Sequence, residues 1–158
     1  MKGNIKKIIM VVVAVLVALS DLSIMDIFCN NMNVYDCEFS EVEIMYSDFD
    51  TDTPFSISPE MFDKWYDDTS IIKITIKDVC TIAFIDSIIN NAEPMYASTI
   101  DTRCRILFTR NKKRECIVDS FYLSSTIIYH KNNGKTFKNN ESTQEFIHNI
   151  VSHEMNRN

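Results

Sequence analysis

Three aspartates, Asp48, Asp50 and Asp52, alternate along a polar stretch that follows a strand-like segment. Carboxylates at alternate positions can converge on one Ca²⁺, as they do in the standard calcium-binding loop. That loop needs a glycine for its sharp turn where this chain has Thr53. It needs a bidentate glutamate where the chain has Pro59, and Glu60 comes one place late. The competing reading is a solvated acidic loop whose aspartates bond their own backbone two residues on. The departures favour the loop, so Ca²⁺ is the weaker expectation, and no other cofactor or metal is expected.

Cys80 follows Asp78, a residue suited to capping a helix. A thiol in that first turn feels the helix dipole and unpaired N–H groups, which favour thiolate. His130, at the end of a later strand, is the residue available as its base. The run Asp78-Val79-Cys80-Thr81 faintly resembles the Asp-Cys-Ser start of NlpC-type cysteine peptidases. That resemblance implies hydrolysis with Cys80 as nucleophile and His130 as base. A structural or disulfide-bonded Cys80 is the competing reading, and the sequence favours it.

His148 and His153 share the last helix, but five residues turn through about 500°, leaving the rings ~140° apart. They do not chelate one ion. Arg110, Lys112, Lys113 and Arg114 make a basic hairpin tip, expected to be a solvated turn that discourages edge pairing. Glycine is the strongest negative signal. The chain has two, Gly3 and Gly134, whereas phosphate-cradling loops, dinucleotide fingerprints and nucleophile elbows require it where backbone meets ligand.

The elements that position these residues follow from hydrophobic periodicity. Residues 41–47 alternate Val42, Ile44 and Tyr46 with Glu41, Glu43 and Met45, the pattern of a half-buried strand. Ser58, Pro59 and Glu60 read as cap, first helical position and first-turn acid of a short helix burying Met61, Phe62 and Trp65. Residues 71–76 are a β-branched strand, and Asp78 opens an amphipathic helix to about Asn91 carrying Ile82, Ile85, Ile88 and Ile89 on one face.

Cys104, Ile106 and Phe108 alternate with Arg103 and Arg105 in the next strand. Matching apolar faces across the basic turn predicts Phe108 opposite Cys116, Ile106 opposite Val118 and Cys104 opposite Ser120. Cys104 and Cys116 are then too far apart to bridge. Residues 126–130 and 135–138 form a further hairpin around Asn132, Asn133 and Gly134. Ser142 with Glu145 reads as a capping box for a closing helix whose buried stripe is Phe146, Ile147, Ile150, Val151 and Met155. The predicted class is α+β: an antiparallel sheet of about four to six strands packed by two or three helices. Its order, a strand and helix followed by four meandering strands, is similar to cystatin-like helix-on-sheet folds.

Residues 1–20 carry Lys2, Lys6 and Lys7 ahead of a twelve-residue apolar run, ending Ala18, Leu19, Ser20. This is the layout of a cleavable signal peptide. The run stops short of the ~20 residues a membrane span needs, so no span is expected after cleavage. Residues 21–40 then form a leader segment, and 41–158 a single α+β domain. Cleavage moves the net charge from −6 to −9. The acidic balance repels phosphate backbones, so nucleic acid is excluded as a partner. Five cysteines in an exported chain raise disulfides, with Cys29–Cys37 the expected staple of the leader. An odd count leaves one thiol over.

The reading that results is an exported protein, periplasmic, cell-surface or secreted, acting as a non-enzymatic protein-binding or inhibitor-like module on an unknown protein partner. The alternative is a small cysteine hydrolase using Cys80 and His130.

Overall fold

β-branched and aromatic residues at alternate positions dominate the middle of the chain, and they assemble into one sheet. The computed structural model describes residues 39–50, 55–65, 70–112 and 115–157, with the side chains of 111–112, 115–117 and 157 not described. The predicted signal peptide, most of the leader, the Cys29–Cys37 bridge and Asp52 lie outside the described residues. In chain order the elements are β1 (Glu41–Tyr46), α1 (Pro59–Lys64), β2 (Ile72–Ile76), α2 (Val79–Asn90), β3 (Cys104–Lys112), β4 (Glu115–Leu123), β5 (Ile127–His130), β6 (Lys135–Lys138) and α3 (Glu141–Arg157). The six strands run antiparallel in the order β2-β1-β3-β4-β5-β6. The protein is an α+β fold with the element order the sequence predicts.

One sheet face carries Val42, Ile44 and Tyr46 of β1, Ile74 and Ile76 of β2, Cys104, Ile106 and Phe108 of β3, and Phe121 and Leu123 of β4, all buried. Ile82, Ile85 and Ile89 of α2 and Phe146, Ile147 and Val151 of α3 cover it. The two helices meet each other through the Phe84–Phe146 ring pair at 4.7 Å. Each fully buried Ile or Phe contributes about 1.5–3 kcal/mol, so this layer dominates stability.

The second face is covered as well, but only locally. Met45 packs under Ile57, Phe62 and Ile71, with Met61 and Trp65 at the margin. α1 is what closes this side, and its capping is local: Ser58 Oγ accepts from the Met61 N–H at 3.3 Å, with Pro59 at the first helical position. Asp78 caps α2 in the same way, accepting from Thr81 N–H and Thr81 Oγ1, both at 2.7 Å.

Two local expectations are corrected. In the β3–β4 hairpin, Cys104 faces Leu123, Ile106 faces Phe121 and Phe108 faces Asp119. The slip is three residues, and an odd slip exchanges the faces. β4 continues past Ser120 to Leu123, and burying Phe121 and Leu123 removes more apolar surface from water than burying Cys116 and Val118 would. Val118 is accordingly left 36% exposed. The cap of α3 lies two residues before the predicted Ser142: Asn140 Oδ1 accepts from Thr143 N–H at 2.9 Å and takes that role. Asparagine is as good a cap as serine.

Candidate functional site

Among the described residues, a cluster of ionisable groups lies on the α1 face of the sheet. Arg105 of β3 stands opposite Tyr122 of β4, and Asp63 of α1 lies over both. Asp63 Oδ1 accepts from Arg105 Nη1 at 3.0 Å, and Oδ2 accepts from the Tyr122 hydroxyl at 2.7 Å. Lys131, in the turn after β5, donates to Asp63 Oδ2 at 3.3 Å and to the Tyr122 hydroxyl at 3.1 Å. The other end of the Arg105 guanidinium reaches Glu43 of β1. Two carboxylates and two cations thus close into a neutral network around one phenol. The loop before α1 is fixed separately: Ile57 N–H donates to Asp101 Oδ1 at 2.8 Å, and Arg103 pairs with Oδ2 of the same carboxylate at 2.7 Å.

The electrostatics of this network oppose proton transfer. Burial raises the pKa of Asp63, but hydrogen bonds from Tyr122, Arg105 and Lys131 outweigh it and hold the carboxyl below its ordinary range. Burial, together with the accepting Asp63, pushes the Tyr122 phenol up. Burial works against the Arg105 charge, yet Asp63 and Glu43 raise its pKa. The bond to Tyr122 raises Lys131, against partial burial and with help from Asp63. Every shift deepens the protonation state already held at neutral pH, whereas a general acid or base works best with its pKa near the working pH. The arrangement suits a clamp on α1.

A second group lies at the end of β1, where Tyr46, Asp48, Phe49, Asp50, Gln144, Glu145 and His148 line an open pocket of about 240 Å³. The Tyr46 hydroxyl lies 3.0 Å from His148 Nδ1. Burial, then the charge of Asp48, push this phenol up to about 12. Asp48 Oδ1 accepts from Asp50 N–H at 3.1 Å, the local turn bond that competes with ion binding. Among the described residues no group of three or more His, Cys, Asp or Glu side chains is placed to hold a metal.

Cys80 sits half-buried in the first turn of α2, as predicted, and its sulfur is disulfide-bonded. His130 Nε2 lies 2.9 Å from Asp119 Oδ1, and its ring stacks on Phe121 at 4.3 Å. Each member of the Cys80–His130 pair is committed elsewhere, which leaves no thiol for the histidine to activate. His148 bonds Tyr46, while His153 lies 3.5 Å from Glu154 on the exposed side of α3. At the basic tip, Arg110 lies over the Phe39 ring at 5.8 Å; the side chains of Lys112, Lys113 and Arg114 are outside the description. Cys104 is a free, buried thiol, its pKa raised by burial, so it is not reactive.

The remaining feature is a presented surface. Residues 93–95 run beside the edge strand β6 through an isolated bridge between Pro94 and Phe137. Met95 N–H donates to Thr136 O at 3.0 Å, Thr136 Oγ1 donates to Met95 O at 2.6 Å, and Lys138 N–H donates to Glu93 O at 2.8 Å. Proline has no N–H to offer a further strand, so the segment also ends the sheet. The next residue, Tyr96, is 91% exposed, beside the partly exposed Met95.

No known protein family, characterised protein or solved structure matches the chain. No helix among the described residues is long and apolar enough to cross a membrane. Sequence reasoning missed the Asp63 network and the Tyr96 segment. The outward alternation of Arg105 was the available signal for the first, and the shifted hairpin register concealed its partner Tyr122. For the second there was only Pro94 in a loop, which does not by itself disclose pairing with β6.

Proposed function

We propose that the protein is an exported, non-enzymatic protein-binding or inhibitor-like module that engages its partner through the Tyr96 segment. The observation that carries this reading is a large amphipathic side chain, 91% exposed, on backbone fixed to β6 by three hydrogen bonds. Tyrosine is enriched among the residues that dominate binding energy, because it offers much contact area at little rotamer cost. Fixing the backbone in advance reduces what association must spend on ordering the loop. The mutual pairing of the ionisable groups on the α1 face supports the same reading, since none is poised to exchange a proton near neutral pH.

The test is a photo-crosslinking amino acid at position 96, with one at the exposed position 118 as control, applied to the native extracytoplasmic fraction. The expected result is a discrete adduct from position 96 alone, competed by unlabelled wild-type protein and not by a Tyr96→Ala variant. Equal adducts from both positions, or equal competition by the variant, would reject the reading.

A further inference from the structure

Asn140-Glu141-Ser142 is the single Asn-x-Ser/Thr triplet in the chain, the acceptor pattern for N-glycosylation in exported proteins. The folded geometry separates the two ends of the Asn140 amide. Its Oδ1 accepts from Thr143 N–H at 2.9 Å and from Thr143 Oγ1 at 3.1 Å, capping α3. Its Nδ2 donates to none of the described residues, and Asn140, Glu141 and Ser142 are all exposed. The neighbouring Asn139 shows the opposite arrangement: it is 3% exposed, and its Nδ2 is bonded to the Ser124 carbonyl. Of the two adjacent asparagines, the one inside the triplet is the one whose nitrogen faces solvent.

We propose that Asn140 is an N-glycosylation site, taking an oligosaccharide from a polyprenyl-diphosphate-linked donor. The proposal rests on the export reading, because only an exported chain meets such a donor. In the transfer a bond forms between Nδ2 and the anomeric carbon, and the anomeric C–O bond to the diphosphate breaks. The polyprenyl diphosphate leaves with the bonding pair, and the amide nitrogen gives up one proton. The product is still an amide, so Oδ1 keeps its acceptor role and the cap on α3 survives modification. A glycan here keeps the start of α3 in solvent and removes that end of the molecule from any partner surface.

The experiment uses the full chain, recovered from cells and from the exported fraction of its native host. Peptide N-glycosidase treatment is followed by mass mapping of the peptide that contains residue 140. The expected result is a downward mobility shift of the exported protein and conversion of Asn140 to Asp. Ser142→Ala should abolish the shift and Ser142→Thr should retain it; both leave the Asn140 cap in place, so folding is not at issue. Exported protein with an unmodified Asn140 overturns this proposal alone. Protein found only inside the cell overturns the export reading and this proposal with it.

Discussion

Asp63, near the end of a six-residue helix, accepts the phenol hydrogen of Tyr122 from the sheet at 2.7 Å. A helix of this length is not stable in isolation. It is held by the burial of Phe62 over Met45 and by a carboxylate that also meets Arg105 and Lys131. The second sheet face is therefore closed by one apolar contact region and one charged junction side by side.

If that junction holds α1, Asp63→Ala should cost about 1–3 kcal/mol, because it leaves the half-buried Arg105 and the buried Tyr122 donors without their shared acceptor. Tyr122→Phe should cost about 1 kcal/mol. Urea unfolding of both single variants and the double variant checks this. The double variant should lose less than the two singles combined, with a coupling of about 0.5 kcal/mol or more. Strict additivity would mean that the hydrogen bond does not link the helix to the sheet.

The same carboxylate fixes the sign of an acid transition. An aspartate in the unfolded chain binds its proton near pH ~3.9, and Asp63 in the folded protein does so at lower pH. Between those values the unfolded state binds more protons, so the stabilisation from Asp63 is fully present above about pH 4. It is lost as pH falls through the folded pKa. Unfolding free energy measured against pH should therefore decline in that window for wild type and less steeply for Asp63→Asn. Asp86 has the opposite sign: burial, opposed by its bond from Asn90 and reinforced by the charge of Asp119, raises its pKa. Asp86→Asn keeps an acceptor for Asn90 and should raise stability at neutral pH.

How much of this was legible in the sequence depends on whether a local pattern or a distant partner decides the outcome. The caps at Ser58 and Asp78 act within one helical turn, and both were readable. So was the alternation that places Arg105 away from Ile106. The β3–β4 register was not, because Cys116 and Val118 offer an apolar match as regular as that of Phe121 and Leu123. Only the covering of both faces decides between them. Tyr122 is 1% exposed on the face closed by α1, and Leu123 is fully buried on the face closed by α2 and α3. No periodicity of β4 alone reports that a helix more than fifty residues upstream will cover its second side. The Asp63 network failed to show for the same reason, since its five members come from five separate segments.

Gly134 offers a test of backbone conformation with packing removed from the question. Its φ is +70°, and a Cβ built there meets nothing within 4 Å. The cost of Gly134→Ala is therefore the left-handed conformation itself, about 1 kcal/mol. Thermal unfolding should show a Tm lower by about 3–5 °C. Gly134→Asn should lose less, because asparagine tolerates this region better than alanine.

Tyr96 should separate binding from folding. Its ring contributes almost nothing to the buried core, being 91% exposed, and the bonds that hold its segment to β6 run through the backbone of Glu93 and Met95. Tyr96→Ala should therefore leave the unfolding free energy within about 0.5 kcal/mol of wild type. Binding to the crosslinked partner should fall by about 2 kcal/mol, roughly 30-fold in Kd, if this ring is a dominant contact. Thr136→Val makes the complementary variant: it removes the hydroxyl that donates to Met95 O at 2.6 Å and loosens the segment without touching the ring. Its affinity loss should be smaller, about 1 kcal/mol, and should come from the added cost of ordering the loop. Calorimetry and surface-based binding on the three proteins distinguish the two effects. Equal affinity of Tyr96→Ala and wild type for the partner would remove the 93–96 segment from the interface.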